Sequence, residues 1–170
     1  MKPWVLLPCF ALCLATLSAC QKPAETLQVS SQGTSVSTAS AETLPDAEQW
    51  RRELQQQLQA LSETADSFVL SYHSPNPRED WSCKDPVLAK KWIAWLQKIE
   101  FSDSYSEIFL GTSHSVAFAP DAASIFTIKP NAFQWNKYPQ MQFQMTNFKE
   151  LRSEFQELAI ASGCPAEHFE

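Results

Sequence analysis

The apolar positions of this chain follow two periods, one typical of helices and one typical of strands. In the first of the helical stretches, apolar side chains recur three or four residues apart from Trp50 to Phe68. That spacing places them on one face of a helix. Asp46 followed by Gln49 is the pattern of a capping box at a helix start. We therefore predict a helix from Asp46 to about Ser71.

Two further helices are predicted by the same spacing and by their start signals. Asp85-Pro86 combines a capping aspartate with a proline suited to the first helical turn. A third helix begins at Asn147, has Glu150 in the capping-box position and ends at Gly163. The buried face of the second helix is predicted to consist of Leu88, Trp92, Trp95, Leu96 and Ile99.

Between the second and third helices, short runs of β-branched and aromatic residues predict strands. We expect four of them: Glu107–Gly111, Ser115–Ala119, Ser124–Lys129 and Gln140–Met145. The last alternates methionine and phenylalanine with glutamine, as a half-buried antiparallel strand does. Strands grouped between helices favour an α+β fold, in which a small antiparallel sheet of about four strands packs with about three helices.

The N-terminus has the composition of an export signal. An apolar run from Trp4 to Ala15 follows Lys2 and is shorter than the roughly 20 residues that a membrane-spanning helix needs. The small residues Ser18 and Ala19 then precede Cys20. The sequence Leu17-Ser18-Ala19-Cys20 resembles the lipobox of bacterial lipoproteins at every position.

That resemblance, which covers only residues 1–20, implies a processing site and a membrane anchor. Residues 1–19 would be a signal peptide removed before Cys20, and Cys20 would carry the acyl chains. Two or three chains make such an anchor effectively permanent. Gln21, where an aspartate would favour the inner membrane, implies the outer membrane. Whether the protein faces the periplasm or the cell surface stays open.

The rest of the chain divides into a tether and one domain. Residues 20–45 are rich in Ser, Thr, Ala and Gln and lack aromatic residues, so they cannot bury enough apolar surface to order themselves. We predict a disordered tether there. Residues 46–170 have a common size for a single globular domain.

Charge and cysteine content narrow the range of functions. Without Lys2 the processed chain has 12 basic and 19 acidic side chains, a net charge of −7, which argues against nucleic acid as a partner. The same negative net charge also suits a basic protein partner. Cys83 and Cys164 remain after processing, and an even pair in an exported domain predicts one disulfide.

Few residues suggest catalysis, and none suggests a cofactor or a metal. The three histidines have no metal-ligand spacing. His114 lies between two serines, but we interpret the segment as a turn between strands. Three carboxylates after the second helix could serve a hydrolase acting on cell-wall glycan, although a solvated loop explains them as well: Glu100, Asp103 and Glu107.

Aromatic residues in two predicted loops are the best candidates for a binding site. Amphipathic rings on loops serve protein interfaces and sugar-binding surfaces, but they also fold back to seal a core, and the sequence leaves both alternatives open. The candidate residues are Trp81, Phe133, Trp135, Lys137 and Tyr138.

Together these observations favour a lipid-anchored envelope protein with a non-catalytic, protein-binding domain, in an accessory, assembly, inhibitor or immunity-type role. Two alternatives stay open. One is an enzyme that modifies cell-wall glycan, and the other is a module that binds a glycan or small ligand through the loop aromatics.

Overall fold

The computed structural model describes residues 44–74, 78–105 and 111–169. The predicted signal peptide, the predicted acylation site Cys20 and nearly all of the predicted tether lie outside these residues. So does the first predicted strand, apart from Gly111. The described part is an α+β domain with three helices and a seven-stranded antiparallel sheet.

The helices are α1 (Ala47–Thr64), α2 (Pro86–Gln97) and α3 (Phe148–Ala161). Two of the predicted caps are confirmed. The Asp46 carboxylate accepts a hydrogen bond from the Gln49 backbone N–H at 2.7 Å, and Asp85 accepts from Val87 and Leu88 at 2.8 and 3.1 Å. The Asn147 side chain does not cap α3. It bonds to the backbone of Lys98 and Glu100 and so fixes the end of α2 to the start of α3.

The first helix ends seven residues earlier than predicted, because the chain changes to a strand. The Thr64 hydroxyl donates to the Ala60 carbonyl at 3.0 Å, a competing bond of the kind that weakens a helix end. From Phe68 onward, Phe68 and Leu70 are buried and Val69 between them is half-buried. This segment is strand β1, with Phe68 and Leu70 facing the helices.

The sheet has more strands than the four predicted. Its strands lie in the order β2-β1-β4-β5-β6-β7-β3, and every neighbouring pair is antiparallel. The strands are β1 (Phe68–His73), β2 (Glu79–Cys83), β3 (Phe101–Tyr105), β4 (Ser113–Ala117), β5 (Ile125–Lys129), β6 (Ala132–Trp135) and β7 (Gln142–Met145). The last three predicted strands correspond to β4, β5 and β7.

The hydrophobic core lies between the three helices and one face of the sheet. Trp50, Trp92 and Trp95 are completely buried, as their helical spacing predicted. Trp50 packs against the rings of Phe143 and Phe101, with ring centroids 4.3 and 5.2 Å away. The buried Nε1 of Trp92 donates to the Ser162 hydroxyl at 2.9 Å, which joins α2 to the end of α3.

The structure does not show the predicted disulfide between Cys83 and Cys164, since Cys164 is a buried free thiol. Burial, together with the Glu79 carboxylate, raises the pKa of Cys164 to about 12. Cys83 and Cys164 both lie buried in the hydrophobic core, and a disulfide between them would need Cβ atoms within about 4.5 Å.

Candidate functional site

The aromatic residues proposed as a loop-borne binding site are part of the core. Trp81 is 4% exposed, Phe133 is 0% exposed and Trp135 is 1% exposed. Trp81 lies in β2 and Phe133 and Trp135 lie in β6, all on the face covered by helices. The Trp135 indole N–H donates to the Ala123 carbonyl at 2.8 Å. These three side chains therefore seal the core, which is the second of the two alternatives that the sequence left open.

Lys137 and Tyr138, the other two candidates, fasten the β6–β7 turn to α1. The Lys137 ammonium and the Tyr138 hydroxyl donate to the same oxygen of Glu53, at 2.7 and 2.5 Å. The ammonium also lies 5.1 Å from the centre of the Tyr138 ring. The hydrogen bonds that would recognise a ligand are thus used inside the domain, and we call this group the Glu53 clamp.

The Glu53 clamp predicts a specific response to acid. Hydrogen bonds from Lys137, Tyr138 and Gln49 lower the pKa of Glu53 from 4.5 to about 2. The folded-state pKa lies below the unfolded one, so the stabilisation is complete above pH 4.5 and is lost as the pH falls toward 2. Since 24% of the side chain is exposed, solvent screens part of the effect, and we expect Glu53→Gln to lose about 1–2 kcal/mol at pH 7.

Urea unfolding at pH 7 and at several values between pH 4.5 and pH 2 measures this response. Glu53→Gln should lose less stability than the wild type across that interval. Glu63→Gln, which lies on the exposed side of the same helix, is the matched control and should follow the wild type. Identical acid sensitivity of wild type and Glu53→Gln would contradict the role of the clamp.

The candidate catalytic residues do not converge. Glu100 is exposed after α2, Asp103 binds Arg51 at 2.7 Å, and Glu107 lies outside the described residues. His114 is buried in β4 rather than placed in a turn, and burial, then His168 and His73, lowers its pKa to about 4. Its neighbours Ser113 and Ser115 point to the opposite face of the sheet, since strand side chains alternate.

The sheet face away from the helices carries a continuous row of polar side chains. The strand registers place one such residue opposite the next across six strands. Residues directly opposite on antiparallel strands have Cβ atoms about 5 Å apart, so the row forms one connected surface. In order from β2 to β7 it consists of Asp80, Ser71, Ser115, Thr127, Gln134 and Gln142.

A groove of about 790 Å³ runs over this row, and we call it the open-face groove. Small hydroxyl side chains form much of its floor, and Ser71 and Ser115 are buried there. Three cations line it, Arg78, Lys84 and Lys129, and the lining contains no Asp or Glu within the described ranges. Asp80 stands beside the groove, where Arg78 binds it at 2.7 Å.

Hydrogen bonds preorganise the polar groups of the groove. Arg78 also donates to the Ser71 hydroxyl at 3.2 Å, and the Nε2 atom of His73 lies 3.1 Å from the Ser115 hydroxyl. Burial, followed by the charge of Arg78, lowers the pKa of His73 and favours the neutral ring. Burial also lowers the pKa of Lys129, whose ammonium donates to the uncharged Gln142 amide oxygen at 2.7 Å.

The Ser115–His73 contact has the spacing of a nucleophile and its base, but its surroundings suit binding better than acyl transfer. Acyl transfer needs N–H donors aimed at the developing oxyanion. Ser115 lies inside β4, which pairs with β1 on one side and β5 on the other, so the sheet ladder uses the local backbone N–H groups. The nearby Asp80 is held by Arg78 instead.

No helix in the described part of the chain is long and apolar enough to cross a membrane. Among the same residues, no group of three or more His, Cys, Asp or Glu side chains is arranged to hold a metal ion. Comparison with protein-family models, curated proteins and solved structures finds no match to this chain.

Proposed function

We propose that this chain is a lipid-anchored envelope protein whose domain is a non-catalytic module that binds an acidic segment of a partner protein in the open-face groove. The anchor rests on the Leu17–Cys20 motif and is an expectation from sequence. The binding function rests on one observation, which is the charge of the groove lining.

The groove has the opposite charge to the chain as a whole. The chain has a net charge of −6, yet Arg78, Lys84 and Lys129 line the groove and no described acidic side chain does. The overall charge alone suggests a basic partner. The local charge favours an acidic one, because a partner responds most strongly to the field within about one Debye length, roughly 8–10 Å.

Lys129 is the cation that gains most from an anionic ligand. It is half-buried, none of the described carboxylates pairs with it, and its polar contact is the neutral Gln142 amide. A cation that has been partly removed from water without a counter-charge is unfavourable. A ligand carboxylate beside Lys129 would supply that counter-charge, whereas Arg78 already shares its charge with Asp80.

The shape and chemistry of the floor favour an extended peptide over a glycan. The part of the row that lines the groove, from Ser71 to Gln134, crosses four strands and offers hydroxyl and amide groups to a peptide backbone. Sugar-binding surfaces generally use exposed aromatic faces. The aromatic residues that could have served that purpose, Trp81 and Trp135, are buried on the other side of the sheet.

The experiment is a binding titration of the full chain in detergent with fluorescein-labelled octapeptides, followed by anisotropy. The probes alternate serine with glutamate, with glutamine or with lysine. We expect the glutamate peptide to bind, the other two to bind at least tenfold more weakly, and added salt to weaken the complex. Equal binding of all three peptides would overturn the proposal.

A charge reversal then assigns the site. Lys129→Glu should weaken binding of the glutamate peptide by at least about tenfold, because it removes an attraction and adds a repulsion. Lys90→Glu changes the net charge equally on the exposed side of α2 and is the matched control. The same loss in both variants would mean that only overall charge matters, and would exclude the groove as the binding site.

A further inference from the structure

A second cavity, of about 480 Å³, lies at the other side of the sheet, between α3 and the ends of β4 and β5. The 3₁₀ turn Ala166–Phe169 closes one side of it. Three phenylalanine rings, Phe148, Phe155 and Phe169, form apolar walls, and His114 also lines the cavity. Its volume lies within the range of about 300–1,000 Å³ that small-ligand sites occupy.

His114, which lines this cavity, has an unsatisfied polar atom. The residue is 8% exposed, and its Nε2 atom has no hydrogen-bond partner among the residues that the structure describes. The ring stacks on Phe169 with an interplanar angle of 9° and meets Phe155 edge-on, which fixes its orientation. Buried polar atoms are nearly always paired, so an unpaired one in a residue that lines a cavity indicates a missing partner.

The charged residues at the cavity have one sign. Lys129, which also lines the open-face groove, reaches the cavity from the end of β5, and Lys149 and Arg152 line it from the first two turns of α3, where both are exposed. Neither forms an ion pair with the described residues, and the described lining contains no Asp or Glu. The cavity therefore combines a cationic mouth and aromatic walls with hydrogen-bonding side chains, among them His114.

We propose that this cavity binds a small aromatic carboxylate that carries a hydroxyl group at the far end of its ring. The carboxylate lies at Arg152 and Lys149, the ring packs among the three phenylalanines, and the hydroxyl bonds to Nε2 of His114. A hydroxyl suits either tautomer of a neutral imidazole, because it both donates and accepts. Planar guanidinium groups bind carboxylates in a bidentate manner, which favours Arg152 as the main anion contact.

Three related compounds test each part of this ligand by calorimetry on the full chain. The probe is 3-(4-hydroxyphenyl)propionate, which we expect to bind at one site per chain. Loss of the hydroxyl in 3-phenylpropionate and loss of the charge in 3-(4-hydroxyphenyl)propionamide should each weaken binding about tenfold. No binding of the probe, or equal binding of all three, would overturn the proposal.

Two variants locate the site. Arg152→Gln should weaken the probe about tenfold, whereas the control Lys91→Gln, on the exposed side of α2, should not change it. His114→Phe preserves an aromatic ring but removes Nε2, so the hydroxylated and unhydroxylated acids should bind it equally. In case His114→Phe does not fold, the ¹⁵N shift of His114 Nε2 in the wild type gives the same information.

These experiments test binding in the cavity separately from peptide binding in the open-face groove. An unchanged affinity in Arg152→Gln, or an unchanged Nε2 shift on saturation with the probe, would exclude this site. Ser115→Trp, which fills the open-face groove, should bind the probe as the wild type does. The two proposals can therefore fail independently.

Discussion

Replacing Trp50 with alanine is expected to lower the free energy of unfolding by about 3–5 kcal/mol, the range for removing a fully buried aromatic side chain. Trp50 is completely buried and lies where α1 meets the sheet. Its ring contacts Phe101, Phe133, Trp135 and Phe143, which belong to β3, β6 and β7. Because domains are stable by about 5–15 kcal/mol, the variant should lose a large share of its stability.

Trp50→Phe is the informative control for this prediction. The Nε1 atom of Trp50 is buried without a hydrogen-bond partner among the described residues, so phenylalanine removes an unsatisfied group while it keeps most of the ring contacts. We expect it to lose less than half as much as alanine. Val87→Ala, at a position 65% exposed on α2, should change stability by less than about 0.5 kcal/mol. Urea unfolding of the three variants measures the series, and a loss below about 1 kcal/mol in Trp50→Ala would contradict the packing of α1.

The helices could be predicted because their signals are local. Asp46 and Asp85 bind backbone N–H groups two or three residues away, and an apolar stripe repeats within each helix. The end of α1 was harder to predict. Ala65 and Phe68 continue the spacing that ends at Leu61, so helical periodicity extends into a segment that pairs with β2 and with β4, and β4 lies far along the chain.

Four of the seven strands were missed for a related reason. Trp81 and Phe133 lie in short segments flanked by prolines or polar residues, a composition typical of loops. Their burial depends on register with neighbouring strands, which places them on the helix side of the sheet. Aromatic composition alone does not distinguish a sealed core from an exposed surface. Here the aromatic residues that were candidates for a binding site belong to the core.

The candidate groove is a product of register and could not be seen in the sequence. Ser71, Ser115 and Thr127 are ordinary hydroxyl residues until the strands bring them together. One usable signal was present in β5, where Phe126 and Ile128 alternate with Thr127 and Lys129. That alternation predicts one apolar and one polar face. Net charge alone does not indicate the charge of the groove, since none of the described acidic side chains lines it.

Filling the groove at its centre is expected to abolish peptide binding. Ser115 is 7% exposed in the middle of the polar row, and side chains of a strand stand roughly perpendicular to the sheet. Ser115→Trp therefore places an indole where the peptide would lie. Affinity for the glutamate peptide should fall at least about a hundredfold, which is more than the loss of a single contact would cause. The core face of β4 is untouched, so the fold should remain.

Ser115→Ala separates the steric effect from the loss of the hydroxyl. It removes the 3.1 Å contact with His73 but leaves the groove open, so binding should stay within about threefold of the wild type. Circular dichroism and thermal unfolding establish that both variants fold, and Thr127→Trp repeats the obstruction on β5 if Ser115→Trp does not. A folded tryptophan variant that still binds the glutamate peptide would place the peptide site outside the groove, because an indole and an extended backbone cannot occupy the same floor.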